Sequence, residues 1–112
     1  MPARRLWLMI LAMLLLARIA AAQQDGGDVA WVQIESAPTL SLAQDRARAY
    51  AARLDNVAGF RSGSGWFAVA LGPYAPRDAA RELAGLRATG AIPADAYVVD
   101  GAGYGERFWP VG

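Results

Sequence analysis

The sequence predicts an α+β domain, a four-stranded antiparallel sheet with two helices on one face, in the chain order βαββαβ. Three observations predict it. Trp66–Tyr74 alternates large and small apolar residues and is stopped by Gly72-Pro73, the strongest strand signal in the chain. Two later-starting stretches, around Ala43–Leu54 and Ala79–Leu86, repeat apolar residues at helical spacing instead. Val32-Gln33-Ile34 with its helix is echoed thirty-seven residues on by Val69-Ala70-Leu71 and its helix. A duplicated strand–helix unit closes most simply on one sheet.

The domain does not begin at the first residue. Arg4 and Arg5 precede an apolar run from Leu6 to Ala17, and Ala20-Ala21-Ala22 supplies small residues, the pattern of a secretory signal peptide over 1–22. The run is short for a membrane span and Arg18 interrupts it; an uncleaved anchor is the alternative. Residues 23–29 read as a flexible polar leader.

The domain then spans 30–100. Ala30–Glu35 is the first strand, with Val32 and Ile34 on one face and Trp31, Gln33 and Glu35 on the other. A helix follows Pro38, with Ser41 and Gln44 as a capping box and Ala43, Ala47, Tyr50, Ala51 and Leu54 as its apolar stripe. Val57–Arg61 is a short strand. Ser62-Gly63-Ser64-Gly65 turns it into the Trp66 strand as a hairpin. Pro76 opens the second helix, Asp78 suits its positive end, and Ala79, Ala80, Leu83 and Leu86 form its stripe. Arg87 lies in its last turn and Gly90 caps it. Ala96–Val99 is the fourth strand. Residues 101–112 read as a glycine-rich turn and an apolar tail, Phe108-Trp109-Pro110-Val111, packed on the domain edge or continuing into a longer context.

Composition excludes several functions. There is no cysteine and no histidine, so disulfides, thiolate chemistry and the commonest metal ligand and neutral-pH base are absent. The eleven basic residues are all arginine; without Arg4, Arg5 and Arg18, eight face ten acids, a net charge of −2. No basic cluster remains for nucleic acid. Ser41, Ser62 and Ser64 have neither histidine nor lysine to activate them. Asp78 with Glu82 reads as a solvated helix face, and Asp95, Asp100 and Glu106 are too scattered for a calcium loop. The expectation is a binding module, with no catalysis, no metal and no cofactor.

The sheet face away from the helices is the candidate site. It would display Trp31, Gln33 and Glu35 beside Trp66, Ala68 and Ala70, with Arg61 in reach. An indole offers apolar area to a flat partner such as a sugar ring, and Gln33 can hydrogen-bond hydroxyl or acetamido groups. Both tryptophans could instead be covered by a strand or by the Phe108-Trp109 tail. Phe60, Phe67, Leu71 and Leu83 are expected in the core, with Tyr74 half-buried at the strand–helix junction.

Trp31-Val32-Gln33-Ile34-Glu35-Ser36 and Phe67-Ala68-Val69-Ala70-Leu71-Gly72-Pro73-Tyr74, each leading into a helix, resemble the two strand motifs of SPOR domains, modules that bind septal peptidoglycan. The resemblance covers roughly 30–100. It implies a ferredoxin-like or RNP-like sandwich and a ligand of glycan strands without stem peptides, bound along the open sheet face in the periplasm during cell division. Gln33, Ala68 and Ala70 match groove-facing positions. The chain departs from the family pattern at Ala68 and Ala70, where a basic or polar residue is often found, at Glu35 for a small glycine, and at Ala37 for an aromatic. The Tyr104–Gly112 segment is similar to a stretch in longer exported proteins. The alternatives are an exported protein-interaction domain that docks on an envelope protein, and a regulatory fragment of an exported enzyme.

Overall fold

The computed structural model describes residues 28–111. The expected signal peptide and most of the leader lie outside the described residues. The elements are β1 (Ala30–Ala37), α1 (Leu40–Ala51), β2 (Val57–Ser62), β3 (Phe67–Tyr74), α2 (Pro76–Ala88), β4 (Tyr97–Val99) and β5 (Tyr104–Trp109). The sheet order is β4-β1-β3-β2-β5, and every neighbouring pair is antiparallel. The α+β class and the central β1–β3 pairing follow the expectation. The sheet has five strands rather than four, because the segment expected to be a turn and tail pairs with β2.

Two sets of apolar side chains lie on opposite sides of this sheet. On the helix side, Val32, Ile34, Val69 and Leu71 meet Ala47 and Tyr50 of α1 and Ala79 of α2. Leu83, Leu86, Phe108 and Trp109 pack on their edges. The alanines let the helices approach the strands closely, and each fully buried Val, Ile or Leu contributes about 1.5–3 kcal/mol. Ala51 and Ala80, expected in the stripes, are exposed. The second set, Trp31, Ala58, Phe60 and Ala70 with Val99 and Tyr104, contains no helix residue. Phe60 is therefore buried, but on the face away from the helices. It stands opposite Ala68, and Gly59 takes the helix side, where the Phe108 ring lies across it.

The helix ends explain the chain's turns. Thr39, not Ser41, caps α1: its hydroxyl accepts from Leu42 N at 3.3 Å. The strand runs two residues further than expected, to Ala37, so Pro38 and Thr39 make the whole connection. Pro76 opens α2, with Asp78 in its first turn and Arg87 in its last. Gly90, at φ +73°, ends it, with Gly90 N donating to Arg87 O and Ala91 N to Leu86 O, the paired bonds of a Schellman motif. Arg87 also reaches Ala96 O and so ties α2 to the approach of β4.

A bulge in β1 decides which residues share a face. Gln33 pairs with Ala70, but Glu35 pairs with Val69, so Ile34 is the extra residue. Past that point the alternation inverts, and Glu35 turns to the helix side.

Candidate functional site

On the uncovered face, β5 sends Tyr104 back over the sheet. Its ring stacks on Phe60, with centroids 4.7 Å apart and planes at 9°. It meets Trp31 edge-on at 6.0 Å, and Trp31 meets Phe60 edge-on at 4.9 Å. The Gly101 turn closes over the indole; a Cβ on Gly101, which sits at φ +81°, would lie 2.8 Å from Trp31 Nε1. Trp31 is thus 8% exposed and lies beneath the Gly101 turn, contrary to the expected display. Ala68 and Ala70 are fully buried, Ala70 within the aromatic set.

Beside that layer lies a groove of about 670 Å³, walled by Gln33 and Ser36 of β1, Tyr97 of β4, Tyr104 of β5, and the Ser62–Trp66 hairpin. Trp66 is 48% exposed there. The hairpin holds its shape through its own bonds: Ser62 N donates to Trp66 O at 2.8 Å, and the Ser62 and Ser64 hydroxyls lie 2.8 Å apart. Gly63 N donates to Gly103 O at 3.0 Å and pins the hairpin to the turn before β5.

Gln33 is the polar centre of the groove. Its Oε1 accepts from the Tyr104 hydroxyl at 2.9 Å, and its Nε2 donates to the Tyr97 hydroxyl at 3.0 Å. Tyr97 therefore keeps its own hydroxyl proton for a ligand, and Gln33 keeps a second amide proton. Burial, and secondarily the nearby Tyr97, pushes the Tyr104 phenol well above the ordinary tyrosine range. It stays protonated as the donor that fixes the Gln33 amide.

Of the expected site residues, the structure brings Gln33 and Trp66 to this groove; Trp31, Ala68 and Ala70 are buried in the sheet face and do not line it. It does not bring Glu35 or Arg61. Glu35 lies on the helix side of the bulge, 3.3 Å from Arg46 Nε. Arg61 pairs with Phe67 and shares its helix-side orientation, where Phe67 meets Phe108 edge-on at 5.8 Å. Tyr97, Tyr104 and Arg107 were not foreseen on this face. Arg107 stands opposite Phe60, with its guanidinium carbon 5.1 Å from that ring's centre. The alternation of Tyr97 with Val98 and Val99 was a legible signal for the first; nothing short of recognising β5 could have found the others. Among the described residues no group of three His, Cys, Asp or Glu side chains could hold a metal ion.

The SPOR domain family model matches residues 26–98. The chain belongs to the SPOR domain family. No curated protein and no solved structure matches it significantly. Membership supports a general peptidoglycan-binding or septal-interaction role. The match ends at Val98, so two of the groove's determinants in this SPOR domain, the Gly101 turn and Tyr104, lie beyond it. Among the described residues no helix is long and apolar enough to cross a membrane.

Proposed function

We propose that this SPOR domain is a non-enzymatic module that binds peptidoglycan glycan strands lacking stem peptides in the cell envelope, after export to the periplasm. The observation that carries the reading is Gln33, held by two phenols beside the half-exposed Trp66 indole. An apolar plane next to oriented amide and hydroxyl donors is the chemistry that recognises N-acetylated sugar rings. Gln33, Trp66 and Tyr97 are the contacting side chains. Trp31, Ala68 and Ala70 are buried and support the face without touching the ligand. Glu35 and Arg61 lie on the helix side of the sheet and take no part in the contact. The groove at the sheet face suits a chain of sugars threading past the hairpin, because its walls are three separate strands and it is open at the surface. A stem peptide on each second sugar would crowd the same walls.

The test is sedimentation of the purified protein with peptidoglycan sacculi, before and after an amidase has removed the stem peptides. The protein should pellet with treated sacculi and stay largely in solution with untreated ones. Equal pelleting in both would overturn the peptide-free specificity, and no pelleting in either would overturn glycan binding.

A further inference from the structure

We propose that Arg107 is a carboxylate-binding residue that makes this face select acidic glycans over neutral ones. The inference rests on the glycan-binding reading above and adds the charge of the sugar to it.

Arg107 comes from β5, outside the family match. Its guanidinium sits over Phe60, which stacks in turn on Tyr104, a residue of the groove wall. Three arginines of the described residues are spoken for by acids: Arg46 by Glu35, Arg48 by Asp45 and Arg81 by Asp78. Arg107 makes no ion pair among the described residues. The other arginines described lie on α1 or just after it, on α2, or, for Arg61, on the helix side of the sheet. Arg107 is therefore the one cation that the described contacts place on the uncovered face. Asp100 lines the groove at the β4 end, and its Oδ1 is turned back to accept from Ala102 N at 2.9 Å.

The ligand chemistry suits a cation on this face. In the glycan of peptidoglycan every second sugar bears a lactyl ether. While a stem peptide is attached, the lactyl carbonyl is an amide and carries no charge. Hydrolysis of that amide adds water across the C–N bond and leaves a carboxylate on the sugar, one negative charge per disaccharide. A guanidinium offers two parallel N–H donors to a carboxylate, and stacking on an aromatic ring holds its plane in place before the ligand arrives. Arg107 would thereby read the removal of the peptide as the appearance of a carboxylate on the sugar itself, in addition to any relief of crowding.

The experiment is a titration of the purified protein with soluble glycan strands released by amidase, and in parallel with chitooligosaccharides of similar length, which share the N-acetylated sugar backbone but carry no lactyl group. The wild-type protein should bind the acidic strands about tenfold more tightly, a preference that shrinks as salt is raised. Arg107→Gln should lose that preference by weakening acidic-strand binding alone, Arg107→Lys should retain part of it, and both should melt as the wild type does. An Arg107→Gln protein that still discriminates would overturn the proposal. Equal wild-type affinity for the two glycans would overturn it while leaving glycan binding standing, and binding to neither would overturn both.

Discussion

The Tyr104 hydroxyl donates to Gln33 Oε1 at 2.9 Å, across a sheet in which β3 and β2 lie between their strands. One phenol thus spans the face, covers Ala70 and fixes the amide that the groove is built around. Its burial gives the bond a pH signature. The folded-state pKa is raised above the unfolded value near 10, so the phenol stays protonated in the folded protein while the unfolded chain begins to ionise. Stability from this group is full below about pH 10 and falls as pH rises beyond it. Tyr104→Phe should cost about 1 kcal/mol at neutral pH, the worth of one hydrogen bond, and should flatten the alkaline decline in denaturant melts between about pH 9 and 11. It should not abolish the decline, because burial also raises Tyr50 and Tyr74.

The two tryptophans of the face separate folding from binding. Trp31→Ala removes a buried indole from between Phe60, Tyr104 and the Gly101 turn, and should cost about 3–5 kcal/mol, enough to lower Tm by more than about 10 °C in a domain of this size. Trp66→Ala removes a half-exposed ring from the rim and should shift Tm by only a few degrees, while pelleting with amidase-treated sacculi falls about tenfold. A sharp thermal loss in Trp66→Ala would place that ring in the fold rather than in the site.

Gly59 is a test of the fifth strand. A Cβ there would lie 2.3 Å from Phe108 Cζ, so Gly59→Ala must push the ring off the sheet. The expected loss is about 1–3 kcal/mol, as for other overpacked sites. Because Phe108 and Tyr104 share β5, hydrogen exchange should rise at Tyr104–Trp109 more than at β1 or β3.

Truncation after Asp100 asks how much of the fold the family-matched region carries. It removes Tyr104, Phe108 and Trp109, which cap both apolar sets, and leaves Trp31 and Phe60 open to water. The shortened protein should bind a hydrophobic dye and lose its cooperative thermal transition. A cooperative melt at the full-length Tm would make β5 an ornament.

These residues also show what the sequence discloses and what it does not. Both helices and the strands β1 to β4 were legible because apolar periodicity reports which side an element buries, and Pro76 and Gly90 mark their ends chemically. Parity could place Trp31 and Trp66 on one face, but it could not say that Tyr104 and the Gly101 turn would roof the first and spare the second. The fifth strand was illegible for a local reason. Its pairing with β2 shifts register between Gly59 and Phe60 and again between Phe60 and Ser62, so Tyr104-Gly105-Glu106-Arg107-Phe108-Trp109 never shows a clean two-residue alternation. The β1 bulge is hidden in the same way, since nothing in Gln33-Ile34-Glu35 announces that one residue will be skipped.

That skipped residue yields the last prediction. An unbroken β1 would set Glu35 beside Gln33 in the groove, as the alternation alone suggests. With the bulge, Glu35 faces Arg46 at 3.3 Å, and the Tyr50 phenol, raised mainly by burial, is raised further by its hydrogen bond to this carboxylate. The arginine is largely exposed, so the ion pair is worth at most about 1 kcal/mol. Glu35→Gln keeps the shape and removes the charge. It should change stability by less than about 1 kcal/mol and leave sacculus pelleting within about twofold of the wild type, whereas Gln33→Ala on the other side of the bulge should lower it about tenfold. A large binding defect in Glu35→Gln would move the ligand to the cleft between β1 and α1, where Glu35, Arg46 and Asp95 meet, and would leave the Trp66 groove without its proposed occupant.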